Sequence, residues 1–270
     1  MSGKLIDAGS SGEWGWHATE LALRCPQLFA YTYRLKVLGK TNSEPLLRGS
    51  LVHAGLAQHY RRMQESQAGG NADEWATPDE GIDACAGELG PAAAEYVAMS
   101  KHIVRSYIAR YTTESVFPVA VEEVFSATID GWKYTQRLDL VAREADGKVY
   151  IWDHKCVGRI DQKTVTRYTL SGQFLGMATF GRATYGDEFG GVKLNLILAD
   201  GAIFRRELVD PAPNALRTFP ISVAHARRLV DDFDSAGTPF NEWPKALSEQ
   251  TCVSTYGLCP AFELCRWGNE

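Results

Sequence analysis

Apolar residues recur with two different periods along the chain. Before about residue 115 they return every three or four positions, which is typical of amphipathic helices. The helices predicted in this part span residues 15–37, 46–64 and 91–113. Pro26 should divide the first of them into two short helices, with Cys25 at the junction. Residues 65–90 show little periodicity, so we predict a flexible insertion that carries about one helical turn.

Strict alternation of apolar and polar residues begins near Val119 and indicates strands. Asp130-Gly131 and Asp200-Gly201 are turn sequences that should connect neighbouring strands. Helical periodicity returns at residues 160–182 and 214–235. The order of three helices followed by β-β-β-α-β-β-α predicts an α/β sandwich with a helical N-terminal part.

The hairpin expected over residues 137–155 carries the candidate chemistry. Asp153 and Lys155 are two residues apart on a strand, so they project from one face. Asp139 joins that face if the turn is the three residues 145–147, because Asp139 then pairs with Asp153. A two-residue turn would instead place Asp139 opposite His154, although a bulge could restore the first arrangement.

Two carboxylates and an ammonium group in one place suit phosphate chemistry with a divalent cation. Carboxylate oxygens are the ligands that Mg²⁺ and Mn²⁺ prefer, and both ions commonly bridge to a substrate phosphate. The lysine could hold the attacking water or stabilise charge on the phosphate. The alternative is an exposed Asp–Lys pair at a strand end, which short motifs of this kind produce often. Glu122 or Glu123 could add a further carboxylate, whichever of them faces inward.

Composition excludes several classes of protein. The 270 residues carry a net charge of −5, which argues against a general nucleic-acid binder but leaves room for a local basic groove. No apolar run reaches the length of about 20 residues that a membrane span needs. The first residues contain no signal-peptide core, so we expect a cytoplasmic protein that does not contact membranes. Disulfides are then unlikely to form, and three of the six cysteines are clustered near the C-terminus, which is typical of metal binding.

Several of these residues stand in the order used by a known family. The ordered set is His53, Asp139, Asp153-His154-Lys155 and Gln173. It resembles the PD-(D/E)XK nucleases of the RecB type, and Gln173 matches the glutamine of their next helix motif. From Cys25 to Cys265 the chain resembles the iron–sulfur branch of that family, which includes the AddB nuclease domain and the CRISPR-adaptation exonucleases.

The resemblance implies a role for each residue of the set. Asp139 and Asp153 would bind Mg²⁺ or Mn²⁺ together with the backbone carbonyl of His154. Lys155 would position the attacking water. His53 would either complete the metal shell or contact the scissile phosphate.

The resemblance also implies the fold and a second metal centre. The fold would be a PD-(D/E)XK restriction-endonuclease-like core, with a central mixed sheet flanked by helices. We expect one nuclease domain over residues 1–270, with a mainly helical part (1–115), the nuclease core (116–235) and a cysteine region (236–270). A [4Fe–4S] cluster on Cys25, Cys252, Cys259 and Cys265 would join the two ends of the chain. Zinc is the alternative metal, since thiolate ligands alone do not choose between them.

The expected function is therefore hydrolysis of DNA, by an exonuclease that acts on ends or single strands in recombination, repair or processing. We find no phosphate-binding loop, so the nuclease would act alone or with a separate helicase or annealing protein. The alternative is a DNA-binding or recombination-partner module without catalysis, which keeps a zinc or iron–sulfur staple.

Overall fold

The structure is a computed structural model that describes residues 3–5, 11–38, 43–209, 211–254 and 257–268. Its α-helices are α1 (Trp16–Arg24), α2 (Pro26–Phe29), α3 (Glu44–Gln67), α4 (Pro78–Leu89), α5 (Val97–Arg110), α6 (Gln162–Thr169), α7 (Gly172–Tyr185), α8 (Pro213–Ser235), α9 (Glu249–Cys252) and α10 (Phe262–Trp267). None of these helices combines the length and the apolarity that crossing a bilayer would require. The predicted break at Pro26 is confirmed: Cys25 lies between α1 and α2 with extended backbone angles, as expected for a residue before proline.

The strands of the described residues form a five-stranded mixed sheet and a two-stranded antiparallel sheet. They are β1 (Val116–Ile129), β2 (Trp132–Glu144), β3 (Val149–Val157), β4 (Phe189–Leu198), β5 (Phe204–Val209), β6 (Val253–Ser254) and β7 (Gly257–Leu258). Strands β1 to β5 lie side by side in chain order, with β3 and β4 parallel, and β6 pairs with β7. This five-stranded mixed sheet with flanking helices confirms the predicted α/β class.

The described residues form two compact units. The first unit draws on residues 1–10, 42–125 and 137–216, and the second on residues 11–41, 126–136 and 217–270. The predicted boundaries at residues 115 and 235 stay predictions, and parts of the predicted end segments lie outside the described residues.

The core of the first unit occupies both faces of the sheet. On one face, Trp152 of β3 packs with residues of α3, α4 and α5, of which Leu56 and Ile103 are fully buried. On the other face, Ile151 packs with Phe174 of α7. Neighbouring residues of β3 therefore point to opposite faces, as the period of a strand requires. Burial of each large apolar side chain stabilises such a core by about 1.5–3 kcal/mol.

The second unit has a core of its own. Fully buried Phe29 stacks on Trp243 with ring centroids 6.4 Å apart. Buried Cys25 belongs to the same apolar cluster, and the partly buried Cys259 and Cys265 pack against it.

Two element predictions were wrong in detail. Residues 65–90 contain the 12-residue helix α4, which begins with a capping box between Thr77 and Glu80. The Thr-x-x-Glu signal was present in the sequence, but the low apolar content of the segment concealed it. The helix predicted over residues 160–182 is two helices, because the chain leaves helical geometry at Leu170 and Ser171 before α7 begins.

Candidate active site

The β2–β3 hairpin has the register that brings the predicted acids together. Leu140 is opposite Trp152, and the same pairing continues to Arg143 and Val149. The amide of Glu144 donates to the carbonyl of Lys148 across the turn at 3.0 Å. Gly147 takes a φ of 79°, which a glycine adopts without a steric penalty. The turn is therefore the three residues 145–147, and the predicted pairing parity is confirmed.

Asp153 is held on β3 by two side chains. One carboxylate oxygen accepts a hydrogen bond of 2.7 Å from Gln173 Nε2 on α7. The other lies 2.6 Å from Lys155 Nζ, which shares its face of the strand. Asp153 is fully buried, and Lys155 retains partial access to solvent. Gln173 and Lys155 therefore fix the carboxylate while leaving the ammonium within reach of a bound substrate.

Asp139 and His53 converge on the backbone of His154. The His154 amide donates to Asp139 Oδ2 at 2.8 Å, and the His154 carbonyl lies 2.8 Å from His53 Nε2. His53 Nδ1 lies 3.5 Å from Asp139 Oδ2. The peptide of His154 thus links a strand carboxylate to an imidazole of α3.

Glu122 enters the site through an irregularity in β1. Ala120, Val121 and Glu122 are buried in succession, so the alternation of the strand is interrupted. Glu122 adopts a φ of 53°, a region that non-glycine residues avoid and that is enriched at functional sites. Its side chain lies 4.0 Å from His53 Nδ1 and 3.0 Å from Arg137 Nε, while Glu123 is exposed. Of the two glutamates left open by the sequence, Glu122 faces inward.

The buried acids shift one another's ionisation. Burial and the charge of Asp139 raise the pKa of Glu122 to about 7. Burial raises the pKa of Asp153 to about 6, although Lys155 opposes the rise. Burial would lower the pKa of His53, but Asp139 and Glu122 raise it to about 9. For Lys155 burial is outweighed by Asp153, so its pKa also rises and the ammonium stays charged. A metal-free site at neutral pH therefore contains an imidazolium and an ammonium among three carboxyl groups.

A group of three side chains could hold a cation. His53, Glu122 and Asp139 each offer a ligand atom, and these atoms lie within 4.8 Å of one another. Two carboxylates and one imidazole form a donor set that suits a divalent metal ion. Asp153 is outside this group because its oxygens face Lys155 and Gln173. The group borders a cavity of about 540 Å³ whose lining also includes Lys155 and Arg137.

A model of the PD-(D/E)XK nuclease superfamily matches residues 16–266. The chain belongs to the PD-(D/E)XK nuclease superfamily. Among curated proteins, no sequence matches the chain. A solved structure described as "Crystal structure of SSO0001" is similar over 94% of this chain and 98% of its own, with 13% identity and a TM-score of 0.35.

Membership in the PD-(D/E)XK superfamily implies a metal-dependent nuclease with a nucleic-acid substrate. The structure places His53, Asp139, Asp153, Lys155 and Gln173 in one contiguous set, joined through the His154 peptide. The residue that the sequence did not point to is Arg137, the ion-pair partner of Glu122. Its place two residues before Asp139 on the same strand was the available signal.

Four of the six cysteines of this PD-(D/E)XK chain, Cys25, Cys252, Cys259 and Cys265, belong to the second unit. The amide of Cys259 donates to the carbonyl of Cys252 at 2.8 Å. Burial raises the pKa of Cys265, and Cys25, Cys259 and Cys252 act on it electrostatically. Among the described residues, no three cysteine sulfurs lie within 4.8 Å of one another. The four residues are therefore neighbours within the second unit.

Proposed function

We propose that the protein is a Mg²⁺- or Mn²⁺-dependent deoxyribonuclease that hydrolyses phosphodiester bonds at DNA ends or in single strands. The observation that carries this proposal is the convergence of Asp139, Asp153 and His53 beside a charged lysine. A helicase or annealing partner is not included, because nothing in the described residues points to one.

The residues present fit a divalent ion. His53, Glu122 and Asp139 supply compact nitrogen and oxygen donors, and the His154 carbonyl faces the same imidazole. We assign the ion to these groups, with Asp153 as a further ligand once an oxygen leaves Lys155. When bound, the ion supplies stabilisation of the charge that develops on the phosphate.

The remaining steps belong to the side chains. Lys155 is cationic, so it acts as a hydrogen-bond donor that orients the attacking water and stabilises the phosphate, rather than as a base. Gln173 keeps Asp153 in a fixed orientation. Arg137, which remains partly exposed beside Glu122, is placed to contact a neighbouring phosphate.

The test is digestion of single- and double-stranded DNA labelled at either end, with Mg²⁺ or Mn²⁺. We expect Lys155→Met and Asp139→Asn to lower kcat by roughly 100- to 1,000-fold, the loss typical when one electrostatic group is removed from an active site. Asp187→Asn, an exposed acid, is the matched control. Wild-type protein that binds DNA without cutting it would instead indicate the non-catalytic module. Release of mononucleotides from one labelled end would identify an exonuclease.

We further propose that Cys25, Cys252, Cys259 and Cys265 bind a [4Fe–4S] cluster. Cys25 is buried in the apolar cluster against which Cys259 and Cys265 pack, and the amide of Cys259 donates to the carbonyl of Cys252 at 2.8 Å, so the four residues lie near one another. Four thiolates suit either zinc or an iron–sulfur cluster, and the resemblance to the iron–sulfur branch favours the cluster.

Metal content and the visible spectrum test the cluster. Anaerobically purified protein should be brown and contain iron and acid-labile sulfide, and Cys259→Ser should lose both. Cys85→Ser is the control, because Cys85 lies on α4 in the first unit. A colourless protein with one zinc ion per chain would refute the cluster in favour of zinc.

A further inference from the structure

A row of polar side chains crosses the sheet behind the candidate site. His154 of β3 pairs with Asn195 of β4, and Asn195 pairs with Arg206 of β5. Residues paired on adjacent strands point to the same face, so the three side chains form one line. Asn195 is fully buried and His154 nearly so.

Two tyrosines of the covering helices complete the row. Asn195 Nδ2 lies 2.7 Å from His154 Nδ1 and donates to the Tyr107 hydroxyl at 3.0 Å. Arg206 Nη2 donates to the same hydroxyl at 2.7 Å, and the Tyr60 hydroxyl lies 2.7 Å away. Tyr107 is therefore the group on which the hydrogen bonds of the row meet.

The row is connected to the candidate metal ligands through one residue. The ring of His154 contacts Asn195 and stacks on Tyr60, with centroids 5.7 Å apart and planes 10° from parallel. The peptide of the same residue touches both Asp139 and His53. Displacing the ring would therefore move the two backbone groups of His154, the N–H that donates to Asp139 and the carbonyl beside His53.

The helix α3 gives the row a second connection. His53 and Tyr60 are seven residues apart on α3, which places them on the same side of the helix two turns apart. The stacking of Tyr60 on His154 therefore also fixes the distance between α3 and β3. That distance sets the 2.8 Å contact between His53 and the His154 carbonyl.

We propose that Asn195 and Tyr107 are positioning residues that hold the His154 peptide, and with it the geometry of the metal ligands. This inference rests on the proposed function. An apolar side chain at position 195 would avoid the cost of burying an amide, so stability alone does not account for asparagine there. Its hydrogen bonds instead restrict His154 to one position.

Two variants remove hydrogen bonds from the row of polar side chains at different positions. Asn195→Leu keeps a side chain that branches at Cγ and removes both hydrogen bonds, while Tyr107→Phe removes only the hydroxyl. Tyr111→Phe is the matched control, because Tyr111 also packs on Arg206 but its hydroxyl is not part of the row. Binding of Mn²⁺ is measured from the paramagnetic resonance signal of the free ion, at a temperature where circular dichroism shows each variant folded.

We expect the Mn²⁺ dissociation constant to rise roughly 10- to 100-fold in Asn195→Leu and Tyr107→Phe, the range typical of groups that orient metal ligands. The KM for DNA should stay unchanged and kcat should fall, because neither residue lines the cavity beside the site. The double variant should lose less Mn²⁺ affinity than the sum of the two single losses, because Tyr107 acts partly through Asn195 and partly through Tyr60.

Wild-type affinity for Mn²⁺ in both folded single variants would overturn the inference and leave the proposed function intact. If the losses of Mn²⁺ affinity simply add up in the double variant, Asn195 and Tyr107 act independently, which would overturn the coupling that we assign to them. Wild-type protein that neither binds Mn²⁺ nor cuts DNA would overturn the proposed function itself. These results are distinguishable because the first comparison requires a wild type that binds the ion.

Discussion

Binding of a divalent ion should release a proton from His53. In the metal-free site the His53 ring lies between Asp139 and the His154 carbonyl, and the carboxylates raise its pKa to about 9. In the metal-free site, the protonated His53 ring therefore supplies the positive charge that a metal ion would otherwise supply. A histidine that binds a metal must be neutral, so the proton has to leave when the ion enters.

The size of the effect follows from the two pKa values. At pH 8 a group with a pKa of about 9 is about 90% protonated, whereas Glu122, with a pKa of about 7, is about 10% protonated. Each ion bound at pH 8 should therefore displace about one proton, nearly all of it from His53. Proton competition should also weaken the apparent affinity about tenfold for each pH unit between 9 and 7, below which the proton of Glu122 must be displaced as well.

Titration calorimetry of Mn²⁺ in Tris and in HEPES at pH 8 measures the proton count from the difference in observed enthalpy. We expect about one proton per ion for the wild type and close to none for His53→Gln. His59→Gln is the control on the same helix, because burial and Arg206 lower the pKa of His59 to about 4 and it is already neutral. Tight binding by the wild type without proton release would refute the reasoning and favour a His53 cation that contacts the scissile phosphate.

Three further predictions concern the same groups and the helix beside them. The metal-free protein should lose stability as the pH rises from 6.5 through 9, because the pKa of His53 in the folded state exceeds its ordinary value. The difference between the two pKa values corresponds to about 3 kcal/mol. Thermal melting in EDTA across this pH range should show the loss in the wild type but not in His53→Gln. Without metal at pH 8, Glu122→Gln should melt at a higher temperature than the wild type, because it removes a buried carboxylate whose raised pKa disfavours folding above pH 4.5. The same variant should bind Mn²⁺ more weakly in calorimetry. Equal affinity for Mn²⁺ would remove Glu122 from the ligand set. Thr77→Ala should lower the free energy of unfolding by about 1 kcal/mol through loss of the α4 capping box while DNA cleavage stays unchanged, as urea unfolding and the nuclease assay would show.

Local sequence signals predicted the parts of the site that depend on one hairpin. The Asp-Gly pair after Ala145 led to a three-residue turn, and in a hairpin without a bulge the length of the turn decides whether Asp139 and Asp153 share a face. Pro26 similarly fixed the break between α1 and α2, because its effect on the preceding residue is steric and local. Short-range geometry of this kind is readable because it involves few neighbours.

Features that require a second element were harder to predict. The sequence left Glu122 and Glu123 open, because regular alternation does not say which neighbour faces inward; the left-handed backbone at Glu122 settles it. That conformation is maintained by contacts with Arg137 and His53, which lie on another strand and on α3. A strained residue of this kind depends on the packed surroundings, and the sequence around it carries no signal for them.

Asn195 shows which part of a contact the sequence predicts and which part it does not. It is the single polar residue of the run 194–198, and a buried amide needs hydrogen-bond partners. The sequence therefore implies that partners exist, but Tyr107 is 88 residues away and Arg206 belongs to the next strand. Which groups meet Asn195 depends on the register of β4 with both of its neighbours. The same register places His154 beside it, so the pairing of three strands determines both the row of polar side chains and the position of the peptide between Asp139 and His53.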